Sequence, residues 1–136
     1  MVKRWIVMIV LTIALVLACV FESRFVNKSF NWLINSLETL QIELTENKEK
    51  IDTKEFIDSA YGIHENWHKR VTGLKCVIWH SWIKDIEIGL ARIAVYVSEN
   101  NYTEAYAEIS ALIDYSAHYL DDFQISIENI LWRFMF

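Results

Sequence analysis

The sequence predicts an all-α protein, in which an N-terminal transmembrane helix continues into a small antiparallel bundle of three to four helices. First, residues 5–21 form an apolar run without a charged residue. Second, the 136 residues include no proline and only three glycines, so few positions interrupt a helix. Third, apolar residues beyond the run recur at spacings of three and four, which is the period of a helix with one buried face.

Residues 5–21 are predicted to anchor the protein in the cell membrane as a single pass. As a helix they cover about 25 Å, at the short end for the hydrocarbon core of a bilayer. Lys3 and Arg4 precede the run, and the positive-inside rule then places the N-terminus in the cytoplasm and the helical domain outside it. Arg24 and Lys28 carry positive charge on the far side as well. The first predicted partner is therefore membrane lipid, bound through the N-terminal helix.

Two other roles of the apolar run remain open. A cleaved signal peptide also combines a basic start with a short apolar core, although no small-x-small cleavage site follows Phe21. The segment Val16-Leu17-Ala18-Cys19 is similar to a lipobox, in which Cys19 would carry the lipid of a lipoprotein. Leu17 is bulky for its place in such a motif, and Val20-Phe21 follow where a polar tether is usual.

The chain is predicted to divide into an anchor at residues 1–22 and a helical-bundle domain at residues 23–136. The net charge is −5, and no stripe of basic residues is present, so a nucleic-acid partner is not expected. Cys19 lies inside the apolar run, which argues against a disulfide with Cys76. Cys76 is interpreted as a small core residue, and His80, between two tryptophans, as a partly buried, hydrogen-bonded histidine.

The first helix is predicted to run from the membrane to about Leu44, followed by a charged, solvated connection between Glu43 and Lys54. Its apolar seam comprises Val26, Phe30, Leu33, Leu37, Leu40 and Leu44. Asp52-Thr53-Lys54-Glu55 has the spacing of a capping box, with aspartate as the N-cap of the second helix. The seam of this second helix comprises Phe56, Ala60, Ile63, Trp67, Val71 and Leu74.

The third helix carries a seam of Trp79, Ile83, Ile86, Leu90, Ile93 and Val97. Asn100-Asn101 is predicted to end it, with Asn101 or Thr103 as the cap of the next helix. That helix has a seam of Ala105, Ile109, Leu112, Ser116 and Tyr119.

Asp121-Asp122 is predicted to precede a separate short helix from about Gln124. Its apolar face comprises Ile127, Ile130, Leu131 and Phe134. The closing stretch, residues 130–136, is too short to cross a membrane and is predicted to dock in the bundle. The alternatives are that it lies on the membrane surface or binds a partner. Most of the six tryptophans are predicted to be core residues, with Trp5 and Trp132 as candidates for a membrane interface.

The segment His64-Glu65-Asn66-Trp67-His68 matches the H-E-x-x-H pattern of zinc metalloproteases. Two histidines one helical turn apart can share a zinc ion, and the glutamate can activate the bound water. The nominal third ligands are His80, Glu87 and His118. Lys69 and Arg70 follow where such helices usually stay apolar, and no strand is predicted beside the helix. We therefore interpret both histidines as ordinary residues flanking a seam, and predict no catalytic, cofactor-binding or metal-binding residue.

Several segments, taken in order, resemble a family of small bacterial membrane proteins catalogued as domain of unknown function 4363. They are Trp67, Val77–His80, Ile83–Ile93, Tyr96, the Asn100–Ala105 turn and Ser126–Leu131. The resemblance covers essentially the whole chain and implies an anchored helical architecture, without an established activity. In the members it resembles, the position of Trp67 recurs without an H-E-x-x-H motif. Trp79 departs from the family, where a small acidic or polar residue often precedes the histidine.

These observations together predict a non-enzymatic protein-interaction or structural module at the cell envelope. Its predicted partner, besides lipid, is a membrane protein, and the sequence specifies no oligomeric state. A membrane-tethered zinc hydrolase using His64, Glu65 and His68 is one alternative. A lipoprotein anchored at Cys19 is the other.

Overall fold

The computed structural model describes residues 2–74 and 80–135, without the side chains of residues 23, 72–74, 80, 81, 123–128, 130, 131, 134 and 135. The described chain forms four α-helices and no strand. They are α1 (Val2–Glu46), α2 (Lys54–Leu74), α3 (His80–Ser98) and α4 (Tyr102–Met135). The predicted all-α class is confirmed. The predicted roles of Cys76 in the core and of the His80 side chain concern positions outside these described residues and side chains.

The helices form a ring in which α1 contacts α2, α2 contacts α3, α3 contacts α4, and α4 returns to α1. Contacts between α1 and α4 show that these two helices are antiparallel. The Thr45 hydroxyl lies 3.1 Å from that of Tyr102, and Gln41 Nε2 donates to Ser110 Oγ at 2.6 Å. The ring of Phe30, earlier in α1, stacks on the ring of Tyr119, which comes later in α4 than Tyr102 and Ser110. The chain is therefore an antiparallel four-helix bundle, as predicted.

Helix α1 is a single helix of 45 residues that carries two different surfaces. The side chains of residues 2–18 are all exposed, and the hydroxyl of Thr12 donates to the Met8 carbonyl at 2.8 Å. By length and composition, the N-terminal part is long and apolar enough to cross a membrane. From Val26 onward one face is buried. The predicted continuation of the apolar run into the bundle as one helix is confirmed.

The predicted seams of all four helices supply the core. Every member of the α1 seam is buried, and so is every member of the α4 seam from Ala105 to Tyr119. In α2, Ile63 is only partly buried. The other described members of the α2 and α3 seams are buried: Phe56, Ala60, Trp67, Val71, Ile83, Ile86, Leu90, Ile93 and Val97. Helical spacing was therefore sufficient to identify the buried faces.

Five aromatic residues form a layer across the bundle, which we call the aromatic layer: Phe30, Trp67, Trp82, Tyr115 and Tyr119. The ring centroids of Phe30 lie 5.3 Å from Trp67, edge to face, and 5.1 Å from Tyr119, stacked. Trp82 lies 4.9 Å from Tyr115 and 4.4 Å from Tyr119. All four helices contribute to the layer. Among the described tryptophans, Trp67 is fully buried, Trp32 and Trp82 are partly buried against the core, and Trp5 and Trp132 are exposed, as predicted.

At the end of the bundle away from the apolar segment, Asn100 links the turn between α3 and α4 to the turn between α1 and α2. Its backbone has a φ of 57°, in the left-handed region. Its own N–H donates to the Val97 carbonyl, and that of Asn101 donates to the Tyr96 carbonyl, which together form a Schellman motif. The Asn100 side chain accepts from the backbone N–H of Ile51 at 2.8 Å and donates to the Glu49 carbonyl at 3.4 Å. Asn100 thus ends α3 and holds the α1–α2 turn.

Two predictions about helix ends were only partly right. Asn101 caps α4, as predicted, by accepting from the Glu104 N–H at 3.3 Å. The N-cap of α2 is Thr53, whose hydroxyl accepts from the Phe56 N–H at 3.4 Å, so the predicted capping box beginning at Asp52 is wrong. Because Ile51 is fully buried and bonded to Asn100, the chain reaches the helical conformation one residue later than the motif suggested.

The predicted break at Asp121-Asp122 is also wrong, because α4 is continuous from Tyr102 to Met135. Aspartate costs a helix interior only a few tenths of a kcal/mol, whereas glycine costs about 1 kcal/mol and proline about 3 kcal/mol. Both aspartates are exposed, so their carboxylates stay hydrated. No separate fifth helix begins at Gln124. The side chains assigned to its predicted apolar face, from Ile127 to Phe134, lie outside the described set.

Ser116 gives a first test of the core. It is fully buried, and its hydroxyl has no hydrogen-bond partner among the described residues. Ser116→Ala removes this unpaired group and improves helix propensity, so we expect the free energy of unfolding to rise by about 1 kcal/mol. Chemical denaturation of the full chain in detergent micelles, followed by far-UV circular dichroism, measures the change.

The matched control is Ser110→Ala. The Ser110 hydroxyl accepts from Gln41 Nε2, so its removal is expected to lower the free energy of unfolding by about 0.5–1.5 kcal/mol. A lower stability of Ser116→Ala, equal to that of Ser110→Ala, would mean that the Ser116 hydroxyl is hydrogen-bonded in solution.

Candidate functional site

The H-E-x-x-H segment lies near the middle of α2, beside the core rather than in it. Trp67 is fully buried, whereas His64 is half-buried and both Glu65 and His68 are exposed. This is the arrangement predicted for two histidines that flank a seam. The i, i+4 spacing brings the histidines to the same side of the helix, as in any helix.

One of the nominal third ligands does approach the motif. Nδ1 of His68 lies 2.8 Å from Oε1 of Glu87 on α3, which links α2 to α3. His118 lies on α4, which is not in contact with α2, and the side chain of His80 is not described. Within the described ranges, no three His, Cys, Asp or Glu side chains are close enough to hold a metal ion. The His68 side chain is 70% exposed, so its pair with Glu87 contributes at most about 1 kcal/mol.

A groove of about 500 Å³ runs between α1 and α2. Its lining combines apolar side chains with amides, hydroxyls and a carboxylate: Trp32, Asn35, Ser36, Thr39, Leu40, Glu43, Ser59, Gly62, Ile63 and Asn66. At one end the guanidinium of Arg70 lies over the Trp32 ring, 4.5 Å from its centroid. Of the lining residues, only Leu40 and Ile63 belong to the predicted seams, because the others lie on faces of α1 and α2 that look polar in sequence. A signal in the sequence is Trp32, which has the polar residues Ser29, Asn35 and Ser36 at helical spacing on either side.

A tyrosine and a carboxylate meet on the other side of the bundle, between α3 and α4. The Tyr115 hydroxyl donates to Asp85 Oδ2 at 3.2 Å, beside the Trp82 ring. Burial, together with the hydrogen bond to Asp85 and its negative charge, raises the pKa of Tyr115 to about 12. Burial also raises the pKa of Tyr119 above its ordinary value. Both phenols therefore keep their protons at neutral pH and act as hydrogen-bond donors or packing groups, rather than as bases.

The raised pKa makes a prediction for alkaline pH. The folded protein holds the Tyr115 proton up to about pH 12, whereas the unfolded chain releases it near pH 10. Bound protons then favour the folded state, and stability falls as the pH rises from about 10 to about 12. We expect Tyr115→Phe to reduce this fall and to remove the latest phase of an ultraviolet titration at the phenolate band. Asp85→Asn keeps the phenol but removes the negative charge, so its Tyr115 should ionise at lower pH than in the native protein.

The largest exposed apolar surface is the N-terminal part of α1. Trp5 at its start is exposed, as expected for an interface residue, and the flanking Lys3 and Arg4 are exposed too. Cys19 is a free, half-buried thiol in the middle of the helix. The other cysteine of the chain, Cys76, lies outside the described residues, so the predicted absence of a disulfide between the two stays a prediction. The lipoprotein and signal-peptide alternatives therefore stay predictions.

Comparison with known proteins adds one finding. No curated protein and no solved structure is significantly similar to this chain. The model of a protein family, described as a domain of unknown function (DUF4363), matches residues 20–130. The matched region holds the seams of all four helices, the Asn100 turn, the groove and the aromatic layer. Since the match covers most of the chain, the protein belongs to the DUF4363 family.

Proposed function

We propose that this protein is a single-pass membrane protein whose extracytoplasmic bundle is a non-enzymatic module for contacts with a membrane-protein partner at the cell envelope. The observation that carries the proposal is the change of surface along α1. The side chains of residues 2–18 are all exposed, and the same helix buries one face in the bundle from Val26 onward. An apolar surface of this size is stable when lipid covers it.

The orientation rests on charge at the two ends of the apolar segment. Lys3 and Arg4 precede it, and the positive-inside rule keeps them in the cytoplasm. On the other side, Arg24 and Lys28 stand farther from the apolar run, three and seven residues beyond Phe21, whereas Arg4 is next to Trp5. The bundle, of net negative charge, then stands outside the cytoplasm.

Contact with a partner is supported by exposed apolar side chains on the bundle. Each of the four helices carries at least one of them: Ile42, Tyr61, Ile88, Val95 and Tyr106. Ile88 and Val95 lie two turns apart on one face of α3. The continuous α1 holds these surfaces beside the membrane, where another membrane protein is the nearest partner.

A cysteine-accessibility experiment tests anchoring and orientation. Lys50, exposed in the α1–α2 turn, and Lys3 are changed to cysteine one at a time, in a chain with Cys19→Ser and Cys76→Ser. We expect a membrane-impermeant maleimide to label Lys50→Cys in intact cells, and Lys3→Cys only after permeabilisation. The opposite pattern overturns the orientation, and recovery of the chain in the soluble fraction overturns the anchor. The intact mass of the native chain decides the lipoprotein alternative, because processing at Cys19 removes residues 1–18.

Photocrosslinking tests the partner. A photoreactive amino acid is placed at each of the five exposed apolar positions, with Lys50, exposed in the α1–α2 turn, as a control. We expect one membrane protein to crosslink in cells from positions on one face and not from the opposite face. Crosslinks absent at every position, in a chain shown to be in the membrane, contradict the interaction role.

Metal content tests the zinc alternative. We expect the purified full chain to hold no stoichiometric zinc, and His68→Gln to leave its metal content unchanged. One zinc per chain, lost in both His64→Gln and His68→Gln, would replace the interaction module by a metallohydrolase.

A further inference from the structure

Helix α4 extends along α1 well beyond the aromatic layer. Three contacts between the helices define their register: Thr45–Tyr102, Gln41–Ser110 and Phe30–Tyr119. From one contact to the next, the residue number rises along α4 and falls along α1, by nearly the same total. Trp132 follows Tyr119 by about 13 residues, or roughly 20 Å of helix. Moving the same distance back from Phe30 reaches Leu17 on α1. The register therefore places Trp132 level with Leu17, inside the apolar segment.

The exposure of the apolar segment supports this placement. Val16 and Val20 are 40% and 39% exposed, less than Leu15 at 62% or Leu17 at 63%, and Cys19 is half-buried. Val16, Cys19 and Val20 follow helical spacing and continue the buried stripe that starts at Val26. Protein therefore partly covers one side of the segment at this level.

Of the described helices, α4 is the one long enough to lie beside Val16, Cys19 and Val20 of α1. Helix α1 contacts only α2 and α4 in the described part of the chain. Helix α2 ends at Leu74, and the Phe30–Trp67 contact places that end near residue 23 of α1. Helix α4 continues to Met135.

The composition of this helix end suits a membrane boundary. Residues 130–136 read Ile-Leu-Trp-Arg-Phe-Met-Phe, in which Arg133 is the only charged residue. Trp132 is 66% exposed, and Arg133 is exposed too. Tryptophan favours the depth of the lipid headgroups, and arginine can keep its apolar stem in lipid while its guanidinium reaches phosphate groups. The level of Leu17 is about 6 Å inside Phe21, the depth at which interfacial helices bury their apolar faces.

We propose that the C-terminal two turns of α4 are a second membrane-binding element, which enters the outer leaflet beside α1 without crossing the bilayer. Trp132 contacts lipid at the boundary of headgroups and acyl chains, and Arg133 binds phospholipid phosphate. This proposal rests on the membrane anchoring proposed above.

Depth-dependent fluorescence quenching tests it. The full chain with Cys19→Ser and Cys76→Ser carries one new cysteine, labelled with the fluorophore NBD, in vesicles of phosphatidylethanolamine and phosphatidylglycerol. Leu17→Cys is the level-matched reference on α1, and Lys50→Cys is the aqueous reference. We expect a spin-labelled lipid with its nitroxide near the headgroup to lower the fluorescence at Trp132→Cys about two-fold, with little quenching by aqueous iodide. Asn129→Cys, one turn earlier and also exposed, repeats the test closer to the membrane surface.

The outcomes separate the two proposals. Quenching by lipid at both Leu17→Cys and Trp132→Cys supports the second element. Quenching by lipid at Leu17→Cys with iodide access at Trp132→Cys overturns it and leaves the anchor intact. Protection of Trp132→Cys from both quenchers overturns it as well, because a protein surface then covers the residue. No lipid quenching at Leu17→Cys overturns the anchor itself.

Discussion

Trp67→Ala is expected to lower the free energy of unfolding by about 3–5 kcal/mol, which is comparable with the whole stability of a small domain. Trp67 is fully buried and packs edge to face on Phe30 in the aromatic layer. Its removal leaves a cavity at the level where all four helices meet, and the backbone of a bundle collapses only partly into such a space. Denaturant unfolding of the full chain in micelles, followed by circular dichroism, measures the loss.

Two further variants are references for the loss of unfolding free energy in Trp67→Ala. Ile42→Ala shortens a side chain that is 61% exposed and should change the stability by no more than about 0.5 kcal/mol. Trp67→Phe keeps an aromatic ring and sacrifices no hydrogen bond, since Nε1 of Trp67 has no partner among the described residues. It should recover at least half of the loss. Equal damage from Trp67→Phe and Trp67→Ala would show that the indole N–H, rather than the ring, stabilises the core.

Asn100→Ala is expected to cost about 2–5 kcal/mol, although the residue is on the surface. Alanine with a φ near 57° is strained by about 1–2 kcal/mol. The substitution also leaves the backbone N–H of Ile51 without its acceptor, at a further cost of about 1–3 kcal/mol. Thermal and denaturant unfolding measure the sum.

Two further substitutions at this position separate the causes. Asn100→Gly removes the backbone strain but keeps the loss of both side-chain hydrogen bonds, so it should be less damaging than Asn100→Ala. Asn100→Asp retains an oxygen for Ile51 and loses only the longer bond to the Glu49 carbonyl. The expected order of stability is therefore native, Asp, Gly, Ala. Asn100→Gly as stable as the native protein would show that the link to the α1–α2 turn contributes nothing.

The buried faces could be predicted from sequence because a helix turns by a fixed angle per residue. Spacing alone placed Leu33, Leu37 and Ile109 in the core. The neighbours of each face could not be predicted in the same way. Nothing in the spacing of Phe30 indicates that it meets both Trp67 of α2 and Tyr119 of α4.

Helix boundaries were harder because several residues there have similar preferences. Asp52 and Thr53 are both good N-caps, and the choice depends on how Ile51 is buried and bonded to a distant turn. Asn100-Asn101 was recognised as a stop, but its side-chain bonds to the α1–α2 turn have a sequence separation of about 50 residues, so no local pattern shows them.

The chemistry of the candidate site was predictable only in part. The i, i+4 spacing of His64 and His68 indicated a shared side of α2 but not what that side faces. The contact of His68 with Glu87 and the groove beneath Trp32 both depend on how neighbouring helices pack. The link between Tyr115 and Asp85 is likewise a property of the α3–α4 pair.

The continuity of α1 has a geometric consequence for the proposed anchor. A helix without a break transmits rotation as well as position, so the membrane segment and the bundle share one azimuth about a common axis of about 67 Å. Inserting one residue between Glu22 and Phe25 would turn the bundle by about 100° relative to the segment, and inserting seven would nearly restore the azimuth while raising the bundle by about 10 Å. The side of the bundle that faces a neighbour in the membrane is therefore set by the number of residues between the segment and Val26.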